Sequence, residues 1–156
     1  WKNEIKEAFT KGKSNEELFM SDDFLQTIYE TSVFAFDRLR EVQVVIDANE
    51  NLFITHGTGG FVWFDEDEQI GMQLPIKCWI HTHPNMSAYF SGTDWNTIRT
   101  WKVNMDSAIV LGGDTEETNQ RMMWTKGEEH TIYFKRGHNM DSLVPHSWKT
   151  LESEEE

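Results

Sequence analysis

Cys78-Trp79-Ile80-His81-Thr82-His83-Pro84, continued after a short gap by Ser91-Gly92-Thr93-Asp94, is the stretch on which the reading of this chain turns. The run 75–82 reads as a buried strand, ended by Pro84, which has no backbone N–H to give to a sheet ladder. Alternate side chains on a strand share a face, so His81 and His83 project one way and Ile80 and Thr82 the other. Two neighbouring imidazoles suit one divalent metal, and Asp94, eleven residues beyond His83, can return across a loop as a third ligand. Two histidines and one carboxylate leave a fourth position for water, which a catalytic zinc site requires. A His-x-His pair alone is common. Ser91 to Asp94 also reads as a helix start, with Ser91 as N-cap and Asp94 in the first turn. Both readings can hold together, because a helix N-terminus fixes a side chain in place.

Working outward, residues 1–20 are polar and lysine-rich with a short amphipathic patch at Ile5, Ala8 and Phe9, and read as an extension or a marginal helix. Ser21 then caps a stronger helix, with Asp22 and Asp23 where the helix dipole favours anions. Leu25, Ile28, Tyr29, Val33, Phe36 and Leu39 carry its apolar face to about Arg40. The period changes to that of strands at 42–46 and 52–55, joined by a turn at 47–51. Glycines at 57, 59 and 60 mark another turn, but no phosphate-binding Gly-Lys-Ser/Thr follows. A short strand is predicted over 61–64 and a solvated acidic loop over 65–68. After the helix predicted at 94–101 come strand-like runs at 108–111, 122–125 and 131–134 and an acidic tail at 146–156. The order of elements describes one α+β domain with a mixed sheet.

Composition narrows the function. Of 156 residues, 38% are hydrophobic and 26% charged, as expected of a folded chain rather than a disordered one. The 27 Asp and Glu against 14 Lys and Arg give a net charge of −13, which argues against phosphate-backbone binding and so against a nucleic-acid partner. The single cysteine, Cys78, excludes an intrachain disulfide and fits a reducing compartment. No apolar run approaches the ~20 residues that span a bilayer, and no signal-peptide core opens the chain. The expected location is the cytoplasm, with no membrane partner.

His81-x-His83-Pro84, six residues, then Ser91-x-x-Asp94 resembles the motif of the JAMM (MPN+) zinc isopeptidases. The sixteen residues 79–94 look most like the AMSH-type deubiquitinases, including Trp-Ile-His-Thr-His-Pro and Ala88-Tyr89-Phe90-Ser91. The resemblance implies a mixed sheet packed between helices, related to the cytidine deaminases, over a domain at 21–145. It implies one catalytic Zn2+ on His81, His83 and Asp94, a glutamate base and a serine oxyanion donor, Ser91. The glutamate position is Glu41, just before the first core strand, with Glu30 and Glu50 as competitors. The family's glycine three residues later is Val44 here. The AMSH-type second zinc is not expected, because Asn96 stands where its first histidine would be and no cysteine follows Cys78. His130, His138 and His146 lack the pattern for it.

The activity so implied is hydrolysis of the isopeptide bond between ubiquitin, or a ubiquitin-like protein, and lysine. Two alternatives stay open: a processing peptidase for the C-terminus of a sulfur-carrier or ubiquitin-like protein, and a non-catalytic MPN-type scaffold. Cys78 alternates with the histidines and reads as a buried structural thiol, not a nucleophile. His56 reads as a turn residue or one that supports the site indirectly. Tyr89 and Phe90 read equally as cleft lining or as core.

Overall fold

The computed structural model describes residues 1–14, 21–36, 39–57, 71–114, 116–127 and 131–134. The strand expected over 61–64, the acidic loop at 65–68, His130, His138, His146 and the tail at 146–156 lie outside the described residues. Two helices, α1 (Lys2–Ser14) and α2 (Asp22–Phe34), precede strands β1 (Glu41–Ile46), β2 (Leu52–Gly57) and β3 (Cys78–His83). Helix α3 (Gly92–Trp101) continues into a 3-10 turn (Lys102–Asn104), and β4 (Ser107–Gly113), β5 (Thr118–Thr125) and β6 (Ile132–Phe134) follow. The strands form one mixed sheet in the order β2-β1-β3-β4-β5-β6. Among the described strands only β3 and β4 pair in parallel, and α3 is the crossover between them.

The pleat of the sheet sorts its residues into two cores. Val42, Val44 and Ile46 of β1, Cys78 and Ile80 of β3, and Ile109 and Leu111 of β4 face α1 and α2. Val45, Trp79, Ala108 and Val110 face the other way and pack with Phe90 and Ile98, the latter from α3. The sheet is therefore sandwiched between helices, and β1, β3 and β4 carry buried apolar residues on both sides, as two-sided coverage requires.

Two expectations about the N-terminal part change. The segment read as an extension or marginal helix is a 13-residue helix, and its Ile5 and Phe9 are buried in the first core. Helix α2 starts at the expected cap, with Ser21 Oγ accepting from Phe24 N, but stops at Phe34 rather than near Arg40. Arg40 N bonds back to Ser32 O, so the chain reverses onto the helix end. Phe36 still packs on the core from outside the helix, which is why the helical spacing overran, while Leu39 is 45% exposed.

Beyond β3 the chain is pinned across the neighbouring strand. Asn85 takes a left-handed φ of 59°, and its N–H donates to Tyr29 Oη at 2.9 Å, while Tyr29 donates to Asp114 O at 2.7 Å. Gly113 N donates to Met86 O, and Ala88 N to Gln120 Oε1. This path exists because Gly112 has no side chain. A Cβ there would lie 2.4 Å from Ala88 N and 2.5 Å from Met86 O. Gly112 is also the residue paired with His83. Gly112→Ala is therefore expected to force backbone apart beside His83 and to destabilise the fold by about 1–3 kcal/mol or more. A urea titration checks this, and an unchanged midpoint would count against the crossing.

Candidate metal centre

The site lies at the carboxyl end of β3, where the strand hands over to the loop and α3. The β3 pleat presents Trp79, His81 and His83 on one face, and all three are buried. Asp94 arrives from the first turn of α3, whose start is fixed by a reciprocal capping box. Ser91 Oγ accepts from Asp94 N at 3.2 Å, and Asp94 Oδ2 accepts from Ser91 N at 2.9 Å. The helix cap thus aims the carboxylate at the histidines. The two readings of Ser91 to Asp94 meet in one geometry.

His81 Nε2 lies 3.0 Å and His83 Nε2 3.2 Å from Asp94 Oδ2. Among the described residues, His81, His83 and Asp94 form a buried group whose ligand atoms all lie within 4.8 Å of one another. Tetrahedral ligation with metal–ligand bonds of about 2.0–2.2 Å places ligand atoms about 3.3–3.6 Å apart, close to the two histidine–aspartate distances. Both His81 nitrogens and His83 Nδ1 are buried with no aligned protein hydrogen-bond partner among the described residues. Buried polar atoms are normally satisfied, so a His81 Nε2 that faces the Asp94 carboxylate without an aligned hydrogen bond suits a shared cation. Burial alone would raise the Asp94 carboxyl. The two imidazoles and the Ser91 N–H outweigh it and hold the group well below the usual carboxylate range, ready as an anionic ligand.

The three candidate glutamates fall in different places. The register pairs Gln43 with His81 and Val45 with Trp79, and Val42 N donates to Thr82 Oγ1. Period-two alternation then puts Glu41 on the histidine face, level with His83. Glu30 sits on α2, on the other side of the sheet, where it accepts from Gln26 Nε2 and borders an open groove with Trp1, Glu4 and Phe34. Glu50 occupies the β1–β2 turn and pairs with Lys77 Nζ at 3.0 Å. Of the three, Glu41 is on the face of the triad.

Cys78 faces the first core, away from the histidines. Burial pushes its thiol far up, the Ser107 hydroxyl opposes the rise and the Asp106 charge adds to it. It stays protonated near neutrality and is no nucleophile. His56 is on β2, the sheet edge, against the rings of Phe36 and Trp1. Tyr89 and Phe90 divide the roles left open for them. Phe90 is core, against Trp95, whereas Tyr89 is 43% exposed with its ring edge-on to His83 at 5.1 Å. Sequence does not single out Gln43 or Gly112, and it marks Tyr29 only as part of the apolar face of α2. The Gly112-Gly113 pair was the one visible signal, since adjacent glycines inside a strand mark a close backbone approach.

No protein-family model, curated protein or solved structure matches the chain. No helix among the described residues is long and apolar enough to cross a membrane.

Proposed function

We propose that this chain has the JAMM/MPN+ fold and is a zinc-dependent hydrolase that cleaves the isopeptide bond between ubiquitin, or a ubiquitin-like protein, and lysine. The observation that carries the reading is the buried convergence of His81, His83 and Asp94 with Glu41 on the same face of the sheet. Oxygen and nitrogen donors with no thiolate suit zinc, and these three residues would hold it. Zinc bound there supplies Lewis-acid polarisation of the scissile carbonyl and makes water a nucleophile near neutral pH.

The protein groups do the rest. Glu41 takes a proton from the attacking water and returns it to the lysine nitrogen as the C–N bond breaks, acting as base and then acid. Ser91 Oγ accepts from Asp94 N, so its own O–H remains to donate to the oxyanion of the tetrahedral intermediate. Tyr89, exposed beside His83, offers a ring against which an extended substrate tail can lie. Retention of all three ligand donors supports an enzyme over a scaffold.

The test is cleavage of a Gly-Gly-Lys isopeptide substrate by zinc-loaded protein, with and without chelator, beside a linear fusion of the same carrier. Chelator-sensitive cleavage of the branched bond is expected. Cleavage of the linear fusion alone would transfer the reading to a processing peptidase, and no cleavage of either would count against a hydrolase. Replacing Ser91 separates its two roles. Ser91→Gly is expected to keep the helix cap to within a few tenths of a kcal/mol, while Ser91→Ala costs about 0.5–2 kcal/mol of stability. Both are expected to lose ~10²–10³ in turnover through the missing oxyanion donor. Full turnover by Ser91→Gly would confine the serine to capping.

A further inference from the structure

We infer that Gln43 and Trp79 are positioning residues for the metal ligand His81, holding its ring by an indole stack. This assignment rests on the metal-centre reading above. A metal-bound histidine almost always donates its second ring N–H to a carboxylate, carbonyl or water, which fixes the plane of the ring. His81 Nδ1 is buried, and no protein group among the described residues is placed to accept from it. The indole of Trp79 lies parallel to its ring instead, with centroids 4.4 Å apart and planes 14° from each other.

The indole is itself fixed. Trp79 is fully buried, and its Nε1 donates to Gln43 Oε1 at 3.0 Å. Gln43 stands on β1 directly opposite His81, so the backbone register places the acceptor where the indole edge needs it. The chain of dependence runs from the β1–β3 register to Gln43, to the indole plane, to the imidazole plane. Cation binding draws electron density out of an imidazole, and the face of an indole is electron-rich. The stack therefore strengthens when His81 holds a cation, which makes Trp79 a contributor to metal affinity as well as to shape.

The test compares wild type, Trp79→Leu, Trp79→Phe, Gln43→Met and the Trp79→Phe/Gln43→Met double variant. Zinc affinity is read by chelator competition, and ligand geometry by the cobalt(II) d–d spectrum, which a purely structural contribution would leave unmoved. Trp79→Leu removes the stack and is expected to weaken zinc binding about 10–100-fold and to shift the cobalt bands. Trp79→Phe keeps a ring and is expected to stay close to wild type. Gln43→Met strands the indole N–H and is expected to weaken binding about tenfold, but to add nothing in the Trp79→Phe background, where there is no N–H to hold. If Trp79→Leu fails to fold, the Gln43→Met and double variants decide.

Wild-type affinity and spectra in the Gln43→Met variant would overturn the assignment while leaving the metal centre standing. So would an equal loss on adding Gln43→Met to Trp79→Phe, because Gln43 would then act without the indole. A wild-type protein that binds neither zinc nor cobalt would overturn both the assignment and the metal-centre reading.

Discussion

Asp94→Asn is expected to abolish metal binding without unfolding the protein. Asp94 has two duties that a neutral amide separates. Its backbone N–H and carboxylate close the capping box with Ser91, and its Oδ2 lies within 3.2 Å of both imidazoles. Asparagine retains an oxygen to accept from Ser91 N, so helix α3 keeps its start. It loses the charge between the two histidines, and a neutral amide is a poor zinc ligand. The loss of affinity should exceed the ~10–100-fold typical of removing an outer-shell partner.

A thermal melt with and without zinc provides the measurement. Zinc at a thousandfold over its Kd stabilises a folded binder by about 4.1 kcal/mol, which for a chain of this size moves the midpoint by on the order of 10 °C. Wild type is expected to show that shift and Asp94→Asn to show almost none, with the metal-free midpoint of Asp94→Asn lower than wild type because the favoured carboxylate is gone, yet still that of a folded protein. Turnover should fall with the metal. An undiminished zinc shift in Asp94→Asn would remove Asp94 from the ligand set.

The triad was legible because its signals are local. The strand pleat makes His81 and His83 neighbours whatever the rest of the chain does, and the Ser91-x-x-Asp94 cap fixes the start of α3 from four consecutive residues. The alternation that put Cys78 opposite the histidines has the same origin. Parts that rest on distant pairing were not legible. Gln43 reads as an unremarkable strand residue until the β1–β3 register sets it against His81 and the Trp79 indole. Tyr29 reads as a core aromatic of α2, yet its hydroxyl ties Asn85, 56 residues on, to Asp114, 85 residues on. Phe36 extended the helical spacing beyond α2 because a residue can reach the same core from a turn, and spacing alone does not distinguish the two. Helix α1 was underrated for a related reason. Ile5 and Phe9, with Ala8 packed beside them, anchor it, and their burial depends on the surface that α2 provides.

Glu41→Gln is expected to keep the metal and lose turnover by ~10²–10⁴. The substitution preserves shape and hydrogen-bonding reach but removes the capacity to take a proton. Glu41 is outside the ligand group of His81, His83 and Asp94, so zinc affinity and the zinc-dependent melt should match wild type. Loss confined to kcat, with KM unchanged, is the signature of a group that acts in the transition state rather than in binding. The competing carboxylates supply internal controls. Glu30 bonds Gln26 on the far side of the sheet and Glu50 is engaged by Lys77, so Glu30→Gln and Glu50→Gln should leave turnover within a few-fold of wild type. Normal turnover in Glu41→Gln would show that the alternation of β1, which brings this carboxylate to the histidine face, does not carry the proton, and a large loss in either control would name its carrier.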